Sequence, residues 1–263
     1  MSYRLTFLGC GSSTGVPRVG GEWGACDPKN PKNRRRRSSV LIERRSGGGT
    51  TTVLVDTGPD LREQLISAGT RHIDGVVYTH DHADHTNGLD DIRAISVRRE
   101  GALPIYGPAE ALAGLRVKFP YIFDETVRPL PGTFKPEGTA TALEPGVTVR
   151  IGDAEVTPIV VPHGRWRVFG YRIGALAYIT DAKSIPEAAF AAVQGAEVLV
   201  LNALFRTEHP THLSLGEAVD VARRIGARRT WLTHLTHDNF HAALAAELPP
   251  DIQPAFDGLV VEC

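Results

Sequence analysis

Ile73-Asp74-Gly75-Val76-Val77-Tyr78-Thr79-His80-Asp81-His82-Ala83-Asp84-His85 joins an apolar, β-prone run to a knot of three histidines and two aspartates. Residues 73–79 read as a buried strand, so the polar knot begins where that strand ends. With 10 histidines in 263 residues, three at three given positions arise by chance at about 5 × 10⁻⁵ per site. That is too rare for an ordinary polar loop. A loop leaving a strand end can turn its first His pair to one cation and the following Asp-His pair to another. Each cation still lacks ligands, since a first-row metal wants at least four donors. The rest of the chain has to supply them.

Working outward, three further polar residues lie where strands should end. His163 follows Val160-Val161-Pro162, Asp181 follows Tyr178-Ile179-Thr180, and His234 follows Trp231-Leu232-Thr233. A single histidine at a strand end is more often a surface or core residue than a ligand. Four strand-end sites together reverse that expectation, because polar residues gathered at one rim of a sheet system are where α/β folds place function.

The surrounding pattern is mixed. Residues 3–9 read as a strand and 10–37 as a long Gly/Pro/Arg-rich loop. Residues 39–45 and 51–56 form a hairpin about Ser46-Gly47-Gly48-Gly49. Residues 59–68 have helical spacing with Gly69 past the end, and 186–193 read as a second helix. The clearest helix opens at Ser214 with a capping box to Glu217. It carries Leu215, Ala218, Val219, Ala222 and Ile225 on one face and stops at Gly226. Strands follow at 155–161, 168–173, 176–180, 198–201 and 229–233. Strands that occur both as hairpins and in alternation with helices predict an α/β protein of mixed sheets with outer helices, not a doubly wound parallel sheet. Neither an internal repeat nor a linker is visible, and residues 1–263 read as a single domain.

Lys+Arg 29 against Asp+Glu 30 leaves a net charge of -1, which argues against nucleic acid as the main partner and against an anionic membrane surface. Cys10, Cys26 and Cys263 are too few and too scattered for a disulfide framework. With no apolar run near the ~18 residues of a bilayer span, the expected location is cytoplasmic. Pairing with a second copy of the chain is left open.

The pattern His80-x-His82-x-Asp84-His85, followed by distant His163, Asp181 and His234, resembles the metallo-β-lactamase superfamily over nearly the whole chain. The resemblance implies a four-layer αβ/βα sandwich with two divalent metal ions, Zn²⁺ or Mn²⁺, at one rim. On it, His80, His82 and His163 would hold the first ion and Asp84, His85 and His234 the second. Asp181 would bridge them, and Asp56 in Asp56-Thr57-Gly58 would brace a ligand from behind. Asp181 stands where the zinc β-lactamases use Cys, and His82 where di-iron oxygen reductases carry Glu. Hydrolysis is therefore expected, rather than antibiotic breakdown or redox chemistry.

Leu8-Gly9-Cys10-Gly11-Ser12-Ser13-Thr14-Gly15-Val16-Pro17 and Asn33-Arg34-Arg35-Arg36-Arg37-Ser38-Ser39 are similar to a narrower group. It includes the phosphoribosyl cyclic phosphate phosphodiesterases and is related to the tRNA 3′-end-processing endonucleases. The resemblance implies a phosphodiesterase acting on a small cyclic or nucleotide-like diester. A hydroxide between the metals would attack phosphorus, and His212 would protonate the leaving oxygen. His212 and Asp84 are the catalytic candidates, with His209 competing for the acid role. Arg165, Trp166 and Arg93 are candidates for holding substrate. The run Arg34 to Arg37 is either a phosphate-binding patch or, more often for such runs, a solvated face. The group's separate structural zinc would fall on Gly21, Trp23, Cys26 and His237. Two thiolates are missing there, so none is expected. The alternatives are a thioester or carboxylic ester hydrolase on the same metals, or an RNA 3′-processing nuclease.

Overall fold

The structure is a computed structural model that describes residues 2–263. Its first sheet is built from β1 (Ser2–Gly9), β2 (Ser39–Ser46), β3 (Gly49–Val55), β4 (Gly75–Val77), β5 (Leu103–Gly107) and β6 (Gly138–Ala142). The second holds β7 (Val149–Ile151), β8 (Ala154–His163), β9 (Trp166–Ile173), β10 (Leu176–Ile179), β11 (Val198–Asn202), β12 (Arg229–Thr233) and β13 (Ile252–Pro254). The last strand, β14 (Val260–Glu262), returns to the free edge of β1. Among the described residues each sheet thus has seven strands, ordered β14-β1-β2-β3-β4-β5-β6 and β13-β12-β11-β10-β9-β8-β7.

Alternation along the strands dictates the layering. Leu5, Phe7, Val53 and Val55 point into a core shared with Val156, Tyr171, Ile173, Tyr178 and Val200 of the other sheet. Leu8, Leu41, Leu54 and Val76 point the opposite way, onto Leu61, Leu65, Ile95 and Leu112. These belong to the helices α1 (Leu61–Ser67), α3 (Arg93–Arg99) and α4 (Ala109–Lys118), which follow the strands with α2 (Ala83–Thr86) and α5 (Pro120–Phe123). Leu199, Leu201 and Leu232 face outward from the second sheet, under α6 (Glu187–Val193), α7 (Leu215–Ile225) and α8 (His241–Glu247). The result is the expected α/β four-layer sandwich.

Strand direction then positions the site. β3, β4 and β5 run parallel, as do β10, β11 and β12. β8 is antiparallel to β9, and β9 to β10, so β8 and β10 point the same way. The chain therefore leaves β8, β10 and β12 at a common edge, carrying His163, Asp181 and His234, and leaves β3 and β4 side by side, carrying Asp56 and His80.

Three expectations need adjusting. β8 extends through His163, which is the last residue of the strand rather than a loop residue after it. The 10–37 loop is tied down: Gly11 bridges both Arg37 and Leu235, and Val16 bridges Arg35. The Arg34 to Arg37 run is not a uniform solvated face, because Arg35 is 1% exposed. Its guanidinium donates to the carbonyls of Thr236 (2.8 Å) and Asn239 (2.6 Å).

Candidate metal centre

The ligand candidates converge. His80, His82, His163 and Asp181 each offer a donor atom, all within 4.8 Å of one another; Asp84, His85 and His234 form a second such group, and Asp181, His212 and His234 a third. Asp181 is the hub. Its carboxylate lies 3.3 Å from His234 Nε2, 3.4 Å from His85 Nε2 and His212 Nε2, 3.5 Å from His80 Nε2 and 3.9 Å from His163 Nε2.

Backbone conformation aims several of these side chains. Asp56, Asp181 and His234 have φ of 61°, 58° and 58°, the left-handed region, each directly or nearly directly after a strand. Such a residue costs of order 1 to 3 kcal/mol in strain, and persists here because its surroundings hold it. Asn202 clamps the Asp181 turn through both ends of its amide, to Ala182 N at 2.8 Å and Ala182 O at 3.1 Å. The Asp56 turn is fastened to the histidine loop, Thr57 N donating to His85 O at 2.7 Å.

Hydrogen bonds settle which ring nitrogens are free to coordinate. His163 Nδ1 faces the carbonyl of Thr211 at 2.9 Å, which can only accept. His85 Nδ1 donates to the Asp56 carboxylate at 2.7 Å. Thr79 Oγ1 gives its proton to Asp56 at 2.8 Å and so must accept from His80 Nδ1 at 2.9 Å. In all three rings a proton sits on Nδ1, and Nε2 is the nitrogen that faces the cluster. Nε2 of His80, His85, His212 and His234 is buried with no hydrogen-bond partner among the described residues.

Charge tells the same story. Three carboxylates, Asp56, Asp84 and Asp181, gather with no lysine or arginine paired to them among the described residues. Burial works to raise the Asp181 pKa, yet the neighbouring His234 and His85 hold it well below the ordinary carboxylate value. Asp84 is lowered in the same way, burial being outweighed by His85 and His234. His85 is raised well above its usual value: burial opposes its charge, but Asp181, Asp84 and Asp56 prevail. His80, by contrast, is pushed well down by burial and by His85. Buried anions ringed by bare imidazole nitrogens are compensated by cations, so the donor set fits divalent metal.

Of the other candidates, Trp166 stands edge-on to His82 with ring centres 5.4 Å apart, and Arg165 lies 4.5 Å over the Trp166 ring. His212 is at the centre, while His209 sits behind it, 5.3 Å between rings. Arg93 is not brought to the site; it pairs with Asp90 at 2.9 Å and with the Phe134 carbonyl. Cys26 Sγ lies 3.6 Å from Arg35 Nη1, a fixed positive charge that a structural zinc would have to displace. Asn202, Thr79 and Thr211 escape the sequence reading. Asn202 carried a usable signal, a polar residue closing an apolar strand; the two threonines carried none.

The chain belongs to the beta-lactamase superfamily, whose domain matches residues 51–235, and its cluster of His and Asp donors could hold metal ions. It is similar to a solved diphosphatase of the PhnP family, at 37% identity and a TM-score of 0.89, covering 100% of this chain and 98% of that one. It is 36% identical over 261 residues to a Porphyromonas gingivalis (strain ATCC BAA-308 / W83) protein named octanoyltransferase, covering 97% of this chain and 51% of that protein. The chain thus spans about half the length of that curated relative. Zn²⁺-bound PqqB from Methylobacterium extorquens shares the fold at 18% identity and a TM-score of 0.73, with 98% of this chain and 99% of that one covered. No helix of the described residues is long and apolar enough to cross a membrane.

Proposed function

We propose that the protein is a dinuclear phosphodiesterase that hydrolyses a small cyclic or nucleotide-like phosphate diester. His80, His82 and His163 would hold one divalent ion, Zn²⁺ or Mn²⁺, and Asp84, His85 and His234 the other, with Asp181 between them. Bound there, such ions would polarise phosphoryl oxygens and make water a competent nucleophile near neutral pH.

The observation that carries the reading is the partner of His212. The Nδ1 atoms of His80, His85 and His163 face groups that hold a proton on that nitrogen. His212 Nδ1 instead faces the Thr211 hydroxyl at 2.8 Å, which donates or accepts with equal ease. The ring can therefore carry a proton on Nε2, give it up and regain it. Burial, against the pull of Asp181, shifts this ring toward its neutral form, which favours proton release. A departing ribose oxygen needs that proton as its P–O bond breaks and the oxygen of water bonds to phosphorus; a thiolate or nitrophenolate does not. Trp166, 47% exposed, offers a face for a base or ribose, with Arg165 beside it for phosphate. The diphosphatase relative also acts on phosphorus.

His212→Ala should lower hydrolysis of a cyclic ribose phosphate about 100-fold or more, with a much smaller loss on an aryl phosphodiester and little change in bound metal. Equal losses on both substrates would give His212 a binding or metal-organising role. No loss on either would pass the acid role to His209 or to water. A wild type that turns over thioesters but neither phosphodiester would replace the reading altogether.

A further inference from the structure

His212 is 8% exposed, and its Nε2 is buried with no partner among the described residues. Once substrate covers that side of the ring, a proton can reach it only from behind, at Nδ1. We propose that Thr211 and His209 form a relay that passes protons between His212 and solvent. This rests on the phosphodiester reading above and adds the source of the proton that the leaving oxygen takes.

The Thr211 hydroxyl stands between two rings. Its Oγ1 is 2.8 Å from His212 Nδ1 and 3.1 Å from His209 Nδ1, and the two Nδ1 atoms are 3.4 Å apart. His209 is partly exposed, so the chain of contacts runs from the buried ring to water. A hydroxyl has one proton to give and lone pairs to receive with. When both bonds are made it donates to one ring and accepts from the other. His212, neutral with its proton on Nε2 for the leaving oxygen, has a bare Nδ1 and is the ring that receives. His209 is then the ring that gives. The surroundings hold the hydroxyl in this place. The Thr211 carbonyl accepts from His163 Nδ1 at 2.9 Å, and Leu213 N donates to Ala182 O at 2.8 Å, which fastens the segment to the Asp181 turn. The Thr211 methyl fills the space left by Gly164, at φ 59°. A Cβ there would stand 2.8 Å from Thr211 Cγ2, well inside the contact distance of two carbons.

The transfer balances. As the P–O bond breaks, the leaving oxygen takes the proton on His212 Nε2, His212 Nδ1 takes the proton of the Thr211 hydroxyl, and Thr211 Oγ1 takes the proton on His209 Nδ1. His209 enters the step with a proton gained at Nε2 from a buffer acid in solution, so both rings end neutral. Without the relay His212 would be left as a buried imidazolate anion, a costly species. Once His209 Nδ1 is bare, the backbone N–H of Thr211, 3.4 Å away, donates to it. Between turnovers a proton of the next attacking water enters His212 Nε2. The same steps then run in reverse and return a proton to the buffer base.

The test is Thr211→Val, which keeps the side chain's shape and removes its hydroxyl, on zinc-loaded protein with 2′,3′-cyclic AMP and bis(4-nitrophenyl) phosphate as probes. Turnover of the cyclic diester should fall about tenfold with KM little changed. That is less than on loss of His212 itself, because the acid stays and only its supply is cut. The aryl diester should lose much less. His209→Ala should repeat this pattern, added imidazole should restore part of its loss by supplying the missing donor, and Thr211→Ser should keep most of the activity. Unchanged turnover in Thr211→Val, or equal losses on both probes, would overturn the relay. Nitrogen-15 NMR of the histidines reads the chain without turnover: at pH 8 wild-type His209 should carry its proton on Nδ1, and Thr211→Val should shift it toward Nε2. A wild-type His209 protonated on Nε2 alone would overturn the relay as well. If neither probe is hydrolysed while a thioester is, the phosphodiesterase reading fails, and the spectra still decide the relay. Should Thr211→Val not fold, His209→Ala and its rescue by imidazole carry the same comparison.

Discussion

Asp181 carries the largest share of the site's electrostatics. Five imidazoles lie within 4 Å of its carboxylate, and its side chain is 3% exposed. With two ions bound as proposed, removing it would leave cations at short range with nothing between them to screen their repulsion. Asp181→Ala should therefore abolish turnover and weaken the second metal about 10- to 100-fold, with the fold retained by circular dichroism. Normal turnover with both ions still bound would remove Asp181 from its role. The four arginines from Arg34 to Arg37 show what single residues hide in a sequence. Arg34 lies over Trp23, Arg35 is buried against Thr236 and Asn239, Arg36 pairs with Asp257, and Arg37 pairs with Asp60. Nothing in the run distinguishes them, because an alternating extended backbone sends equal side chains to unequal places.

At the scale of elements, α7 is the piece whose local sequence and structure agree most closely. Ser214 Oγ accepts from Glu217 N at 3.4 Å, and Ser214 N donates to Glu217 Oε2 at 2.7 Å. Gly226 ends the helix at φ 69°. Ser214→Ala should cost about 1 kcal/mol, read as a melting temperature lower by roughly 2 to 4 °C. Because His212 precedes the cap by two residues, activity should fall as well. The start of α8 supplies a pH dependence. Burial, with help from the positive Lys32 and Arg35, lowers the His241 pKa from 6.5 to about 4. Between those values the unfolded chain binds a proton that the folded one refuses, so this residue's contribution to stability falls as pH drops from 6.5 to about 4. Urea titrations at pH 7 and pH 5 should show a smaller loss in His241→Gln than in the wild type. Equal losses would mean that His241 titrates normally.

Over the whole molecule, both sheets repeat one plan: antiparallel hairpins first, then parallel strands, with the site's side chains at the strand ends that meet between them. On the proposed function, cations at that junction would tie the two halves together. Two ions per chain are expected by elemental analysis of protein purified without chelator. Chelation should lower the melting temperature, since a ligand present at about a thousand times its Kd adds roughly 4 kcal/mol per site. One ion per chain after reconstitution would sink the dinuclear proposal.

By itself the sequence singled out the candidate ligands and the mixed sheets with outer helices, because both rest on patterns that need no third dimension. His80 to His85 are contiguous, and His163, Asp181 and His234 each close an apolar strand. Period-2 and helical spacing name the faces that must be buried. The tertiary structure alone decided which polar residues share a rim, since that follows from strand direction and sheet order. It brought Asp56 onto His85 and Asn202 onto the Asp181 turn, and it left Arg93 outside with Asp90. It also gave His212 and His163 different hydrogen-bond partners. That difference lies in one hydrogen bond, a Thr211 hydroxyl against His212 and a Thr211 carbonyl against His163, two atoms of one residue that folding alone can assign.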